Sequence, residues 1–259
     1  MDQVIRNSLG ERIDYTFTAG ADGNRRAGVI VLLGHGVTGN KERPIVVDTA
    51  RALEEAGWDT LRFSFAGNGD SEGDFREATI TKESRDLKAV LDAVSPLCPR
   101  VIYIGHSMGA AVGVRVAAVD ARITALVSLA GMVRTKTFAE TEFGDVIPDK
   151  GVMWEEEACP LSSAFMDDLC RQVVSVEAEA RRVAVPWLLI HGTADDVVLP
   201  ADTARIAELR GSEVEVLEIK AADHSFADPP AKAQLCRKVV EWLDRLAGSR
   251  DPAWRDHDG

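Results

Sequence analysis

At 259 residues, with 46% hydrophobic and 28% charged side chains, the chain has enough apolar material for a sizeable core. Its 42 acidic residues outweigh 30 basic ones, a formal net charge of −12, which argues against nucleic acid or an anionic membrane surface as partner. No apolar run approaches the ~20 residues a membrane span needs, and residues 1–8 lack the apolar core of a signal peptide. Four scattered cysteines without a CxxC pair fit reduced thiols in a cytoplasmic protein.

Residues 4–7 and 13–18 are expected as two strands about a Leu9-Gly10-Glu11 turn. The run Val29-Ile30-Val31-Leu32-Leu33 is apolar on both faces, as a strand between two helix layers must be, and leads into a loop with glycines at 34, 36 and 39. Helical spacing over residues 44–56 closes at Gly57; a strand over 59–65 and a glycine-rich loop over 66–73 come next. Residues 81–94 are again helical, and Val101-Ile102-Tyr103-Ile104 and residues 123–129 are further buried strands. The alternation then stops over residues 132–182, a stretch too long for a plain loop and expected as a partly helical insertion over the sheet's carboxyl edge. It resumes with Val185-Pro186-Trp187-Leu188-Leu189-Ile190, a helix over 203–210, a strand over 213–219 and a final helix to residue 246, capped by Asp228 with Pro229 at its start. This order implies βαβ units and a mainly parallel sheet. The expected division is a core of residues 1–131 and 183–248, the insertion at 132–182, and a polar tail at 249–259.

The stretch Gly105-His106-Ser107-Met108-Gly109 joins a strand directly to a run of small apolar residues. Such a turn leaves its central residue on a tight bend with the side chain clear of the sheet. A serine hydroxyl is a poor nucleophile at neutral pH and needs a base, which in turn needs an orienting carboxylate. In open α/β sheets such groups collect on loops at the carboxyl ends of strands. Three of those loops supply Ser107, Asp195 and His224, in the chain order associated with this kind of turn. The pattern His-Gly-x-x-Asp-x-x-Val favours Asp195 over Asp196, with Val198 packing the following turn, and Asp223 reads as a turn-former. His106 should point away from Ser107, His35 and His191 should brace loops, and His257 falls in the tail. The amides of Met108 and Val37 are the candidate donors to an oxyanion. His35, Gly36 and Trp154 are assigned to the substrate's surroundings, with Trp154 and Met153 pointing to a partly apolar acyl or aryl group. Residues 67–73 look like a dinucleotide loop, but the third glycine comes one position late. The Glu155-Glu156-Glu157 run has no histidine partner for a metal and reads as a solvated helix start.

Four stretches together resemble bacterial serine esterases of the α/β-hydrolase superfamily: residues 35–41, residues 62–73, Gly105-His106-Ser107-Met108-Gly109 and His191-Gly192-Thr193-Ala194-Asp195. The nearest groups are the cinnamoyl and feruloyl esterases and the serine-aminopeptidase-like and monoacylglycerol-lipase-like hydrolases. The resemblance implies a mostly parallel eight-stranded sheet, helices on both faces, and a short cap inserted between the sixth and seventh strands. It also implies hydrolysis of a small-molecule ester through an acyl-enzyme, with no cofactor and no metal. Amide, peptide or thioester hydrolysis by the same residues, and a catalytically silent binding protein on the same fold, are the competing readings. The acyl and alcohol specificity, and whether the chain forms a homodimer, are left open.

Overall fold

The computed structural model describes residues 3–249, so the expected tail beyond residue 249 lies outside the described residues. The N-terminal strands form a small antiparallel ladder of their own, β1 (Ile5–Arg6) on β2 (Arg12–Ile13). The main sheet holds β3 (Tyr15–Thr18), β4 (Val29–Gly34), β5 (Asp59–Phe63), β6 (Arg100–His106), β7 (Ile123–Leu129), β8 (Trp187–Gly192) and β9 (Val214–Ile219). Their spatial order is β3-β5-β4-β6-β7-β8-β9, with β3 antiparallel to β5 and every other pair parallel.

The main sheet therefore has seven strands among the described residues, not the eight expected, and the reason lies at Asp14. Its amide donates to Ser71 Oγ at 2.8 Å and its carbonyl accepts from Ser64 N at 2.9 Å. One residue earlier, Arg12 N donates to the Glu72 carboxylate at 2.8 Å. The Ser64 bond continues the β3–β5 ladder, but the Ser71 and Glu72 side chains take the Asp14 and Arg12 amides that a continuous strand would give to a neighbour. The expected strand over 13–18 splits, and its first piece pairs outside the main sheet.

The helices are α1 (Pro44–Glu55), α2 (Ile80–Val94), α3 (Met108–Ala117), α4 (Thr135–Phe143), α5 (Ser163–Asp167), α6 (Glu177–Ala180), α7 (Ala201–Arg210) and α8 (Pro229–Ala247). Side chains alternate across a strand, so an all-apolar strand feeds two cores at once. In β4, Ile30 and Leu32 join the core beneath α2 and α3, while Val29, Val31 and Leu33 join the one beneath α1 and α8. The helices begin where the sequence supplies caps: Thr79 Oγ1 accepts from Lys82 N at 3.1 Å, and Asp228 Oδ2 accepts from Ala231 N at 3.1 Å.

Between β7 and β8 the chain carries α4, α5 and α6, and α5 runs on into a π-helical turn at Asp168–Val173. The acidic run does not begin a helix. A short 3-10 turn spans Met153–Glu155, and Trp154 (φ 48°) and Glu155 (φ 62°) both take left-handed backbone. That conformation seats the Trp154 ring 4.9 Å from Phe143 and lets its indole N–H donate to Glu142 Oε2 at 2.8 Å. The four cysteines are free thiols, and among the described residues no helix is long and apolar enough to cross a membrane.

Burial separates what holds this sheet from what decorates it. Leu32 is 0% exposed and Val216, on edge strand β9, is 42% exposed. Leu32→Ala is expected to lower the unfolding free energy by about 3 kcal/mol. Val216→Ala is expected to change it by less than about 0.5 kcal/mol, both measured by urea unfolding.

Candidate active site

Ser107 is the single residue between β6 and α3, and its backbone sits at φ 54°, ψ −118°. A non-glycine residue there is strained by on the order of 1–3 kcal/mol and persists only where its surroundings hold it. Here Ser107 N donates to Leu129 O at 2.9 Å, while Ser107 O accepts from Ala110 N at 3.0 Å and from Met132 N at 3.2 Å. Two glycines make the turn sterically feasible. A Cβ on Gly105 would lie 2.6 Å from Ala110 N, and one on Gly36 would lie 2.8 Å from Ser107 Cβ and 3.2 Å from its Oγ. The loop after β4 is thus pressed directly onto the serine.

Asp195 lies on the loop after β8 and is almost wholly buried. Its Oδ1 accepts from the amides of Val197 (3.0 Å) and Val198 (2.9 Å), which fixes the carboxylate plane. Its Oδ2 faces His224 Nδ1 at 2.8 Å and His191 Nε2 at 3.1 Å. Burial pushes this carboxyl up, but the bonds from His191, His224 and the Val198 amide outweigh it and hold the group far below the usual carboxylate range. An ionised Asp195 can only accept, so His224 carries its proton on Nδ1 and keeps a lone pair on Nε2. Asp196 is exposed, and Asp223 shapes the turn by accepting from Ala227 N at 2.9 Å.

Ser107 and His224 line one cavity of about 570 Å³, together with Gly36, Val37, His106 and Trp154. Among the described hydrogen bonds none joins Ser107 Oγ to His224; contacts of this kind are commonly long until substrate binds. Met108 opens α3, where first-turn amides have no intrahelical acceptor. Val37 comes from the loop pressed against Ser107, so both candidate oxyanion donors flank the serine.

Two expectations about histidines need correction. His106 does not turn away: it borders the same cavity, its ring centroid is 4.9 Å from that of His224, and its Nε2–H donates to the His224 carbonyl at 2.9 Å. The strand's alternation suggests the opposite, but the bend at Ser107 ends the alternation. His35 is not a substrate residue. It is 1% exposed, its Nδ1–H donates to Gly36 O at 2.8 Å, and its Nε2 accepts from Phe65 N at 3.0 Å, so both nitrogens brace the loop. His191 is a brace too, as expected, its Nδ1 bonded to Thr203 Oγ1 at 2.7 Å and its Nε2 to Val198 O at 2.8 Å. Its contact with Asp195 was missed, although the four-residue spacing of His191 and Asp195 carried the signal. No group of His, Cys, Asp and Glu among the described residues is arranged to hold a metal ion.

A family model described as serine aminopeptidase, S33, matches residues 25–153. The mitochondrial palmitoyl-protein thioesterase ABHD10 of Bos taurus is 25% identical over 214 residues, covering 76% of this chain and 69% of that protein. The Homo sapiens protein of the same name is 24% identical over 222 residues, with the same coverage of 76% and 69%. Among solved structures, Est1E from Butyrivibrio proteoclasticus with bound ferulic acid superposes with a TM-score of 0.83 at 20% identity, covering 95% of this chain and all (100%) of that one. The mouse α/β hydrolase domain-containing protein 10 gives a TM-score of 0.76 at 19% identity, covering 94% of this chain and 98% of that one. At these identities the structural likenesses establish the fold, that of the α/β hydrolases.

The bracing histidines make stability pH-dependent with a definite sign. Burial lowers His35 to about 4 and, with help from the neighbouring His224, lowers His106 to about 3. The unfolded chain takes up these protons near 6.5, whereas the folded chain resists, because a proton on His35 Nε2 would face the Phe65 N–H. The His35 contribution is therefore complete above pH 6.5 and is lost as pH falls towards 4. The gap in unfolding free energy between wild type and His35→Gln is expected to narrow by about 2 kcal/mol from pH 7 to pH 4.5. Urea titrations at both pH values measure it, and a constant gap would contradict the assignment.

Proposed function

We propose that this chain, which has the α/β-hydrolase fold, is a serine hydrolase that cleaves carboxylic esters through an acyl-enzyme. The observation that carries the reading is the contact of His224 Nδ1 with Asp195 Oδ2 at 2.8 Å: with Nδ1–H committed to that carboxylate, the Nε2 lone pair is left for the cavity that Ser107 lines. In this reading His224 Nε2 takes the proton from Ser107 Oγ as the oxygen attacks the ester carbonyl. Asp195 holds the ring and stabilises the imidazolium that forms. The negative charge that develops on the carbonyl oxygen is met by the amides of Val37 and Met108. The tetrahedral intermediate collapses, the His224 proton goes to the departing alkoxide, and the alcohol leaves. Water, deprotonated by His224, then releases the acid from Ser107.

The wall that the segment between β7 and β8 contributes suits an apolar acyl or aryl group. Trp154 lies there against Phe138 and Phe143, with ring centroids 6.3 and 4.9 Å away. We read this segment as a cap over the site. Four free thiols suit a reducing compartment, the cytoplasm in this reading. Thioester cleavage is the second reading, favoured by the relatives named as palmitoyl-protein thioesterases.

Ser107→Ala is expected to lower kcat on p-nitrophenyl esters by roughly four to six orders of magnitude, and Asp195→Asn by about 10⁴-fold. Steady-state kinetics of the purified variants, with circular dichroism to verify folding, measures both. A panel of acyl-chain and aryl esters against acyl-CoA thioesters decides between the two readings by the ratio of kcat/KM.

A further inference from the structure

We propose that Arg43 is a receptor for a carboxylate on the substrate, so that the preferred substrates are esters bearing an anionic group. This rests on the ester-hydrolase reading and specifies its substrate class. Arg43 stands just before α1 and lines the cavity that contains Ser107 and His224. Two other charged residues line the cavity, Lys232 and Glu156, and both are engaged. Lys232 Nζ is paired with Asp48 Oδ2 at 2.8 Å, and Glu156 Oε2 accepts from Cys159 Sγ at 3.4 Å.

Arg43 has no such carboxylate. Among the described hydrogen bonds its guanidinium makes only those of Nη2, to Thr38 O at 2.9 Å and to Thr38 Oγ1 at 3.4 Å. Thr38 follows Val37 on the loop pressed against Ser107 and holds a left-handed backbone at φ 55°. One edge of the planar group is thereby tethered beside a proposed oxyanion donor, while Nη1 and Nε keep N–H groups for a ligand. A guanidinium tethered through Nη2 can still give a carboxylate charge-assisted bonds from its other nitrogens and loses little freedom on binding it. The first turn of α1 adds no acidic side chain to offset the charge. In a chain of net charge −12, two basic residues to one acidic in this cavity reverse the balance of the molecule.

The test compares matched esters that differ in charge. For the acyl side the pair is p-nitrophenyl hemiglutarate and p-nitrophenyl valerate. For the alcohol side it is para-acetoxybenzoate and its methyl ester. Wild type is expected to favour the anionic member of at least one pair by about tenfold or more in kcat/KM, and the pair that responds identifies which side carries the carboxylate. The preference should shrink as salt is raised, fall to parity or below in Arg43→Gln, mainly through KM, and partly return in Arg43→Lys. If Arg43→Gln does not fold, the salt dependence in wild type carries the decision. Equal or better turnover of the neutral member in both pairs, or a preference that survives Arg43→Gln, would overturn the proposal and leave the hydrolase reading intact. No turnover of any of the four esters would overturn that reading and the Arg43 proposal with it.

Discussion

The bend at Ser107 is the constraint on which the rest of the molecule depends. An L-residue with φ near 54° and ψ near −118° does not stay there unless its neighbours leave no alternative. The neighbours are the sheet itself: β7 supplies the carbonyl of Leu129, and the chain beyond it supplies the amide of Met132. Parallel pairing then does the rest. Because β4, β6, β7, β8 and β9 all run the same way, the loops after β4, β8 and β9 open at the same edge as Ser107. They deliver Gly36, Asp195 and His224 to one place from positions far apart in the chain. The two buried cores on either face hold those strand ends where they are.

Around that bend the histidines divide the labour by tautomer. His35 and His191 spend both ring nitrogens on the protein, and each therefore fastens a loop. His106 fastens the loop that carries His224, by donating to the His224 carbonyl. His224 spends one nitrogen on Asp195. The same ring chemistry thus serves as a strut in three cases and as the proposed base in the fourth. What sets the difference is which nitrogen is left facing the cavity: His35 and His191 commit both, whereas His224 commits Nδ1 to Asp195.

Much of this was legible in the order of residues, for physical reasons. Strands buried on both faces must be apolar throughout, and so the runs at Val29–Gly34 and Trp187–Gly192 announce themselves. The turn at Ser107 needs glycines two residues on either side, which is a local requirement that a sequence can display. Asp195 and His224 follow from the same logic, since only loops after strands can reach the bend. What was not legible depends on contacts between distant segments. The break at Asp14 comes from Ser71 and Glu72, more than fifty residues on. Nothing near Glu155 forecasts a left-handed turn, because the aromatic contacts of Trp154 and its bond to Glu142 enforce it. His106 was misplaced because strand alternation was carried one residue past the point where the strand bends.

The most direct measurement is a crystal structure of the chain after reaction with a p-nitrophenyl alkylphosphonate, which mimics the tetrahedral intermediate of ester hydrolysis. The account predicts phosphorus bonded to Ser107 Oγ, the phosphoryl oxygen within hydrogen-bonding distance of the Val37 and Met108 amides, and His224 Nε2 turned towards the adduct. An adduct on another residue, or one on Ser107 whose phosphoryl oxygen points away from both amides, would contradict it.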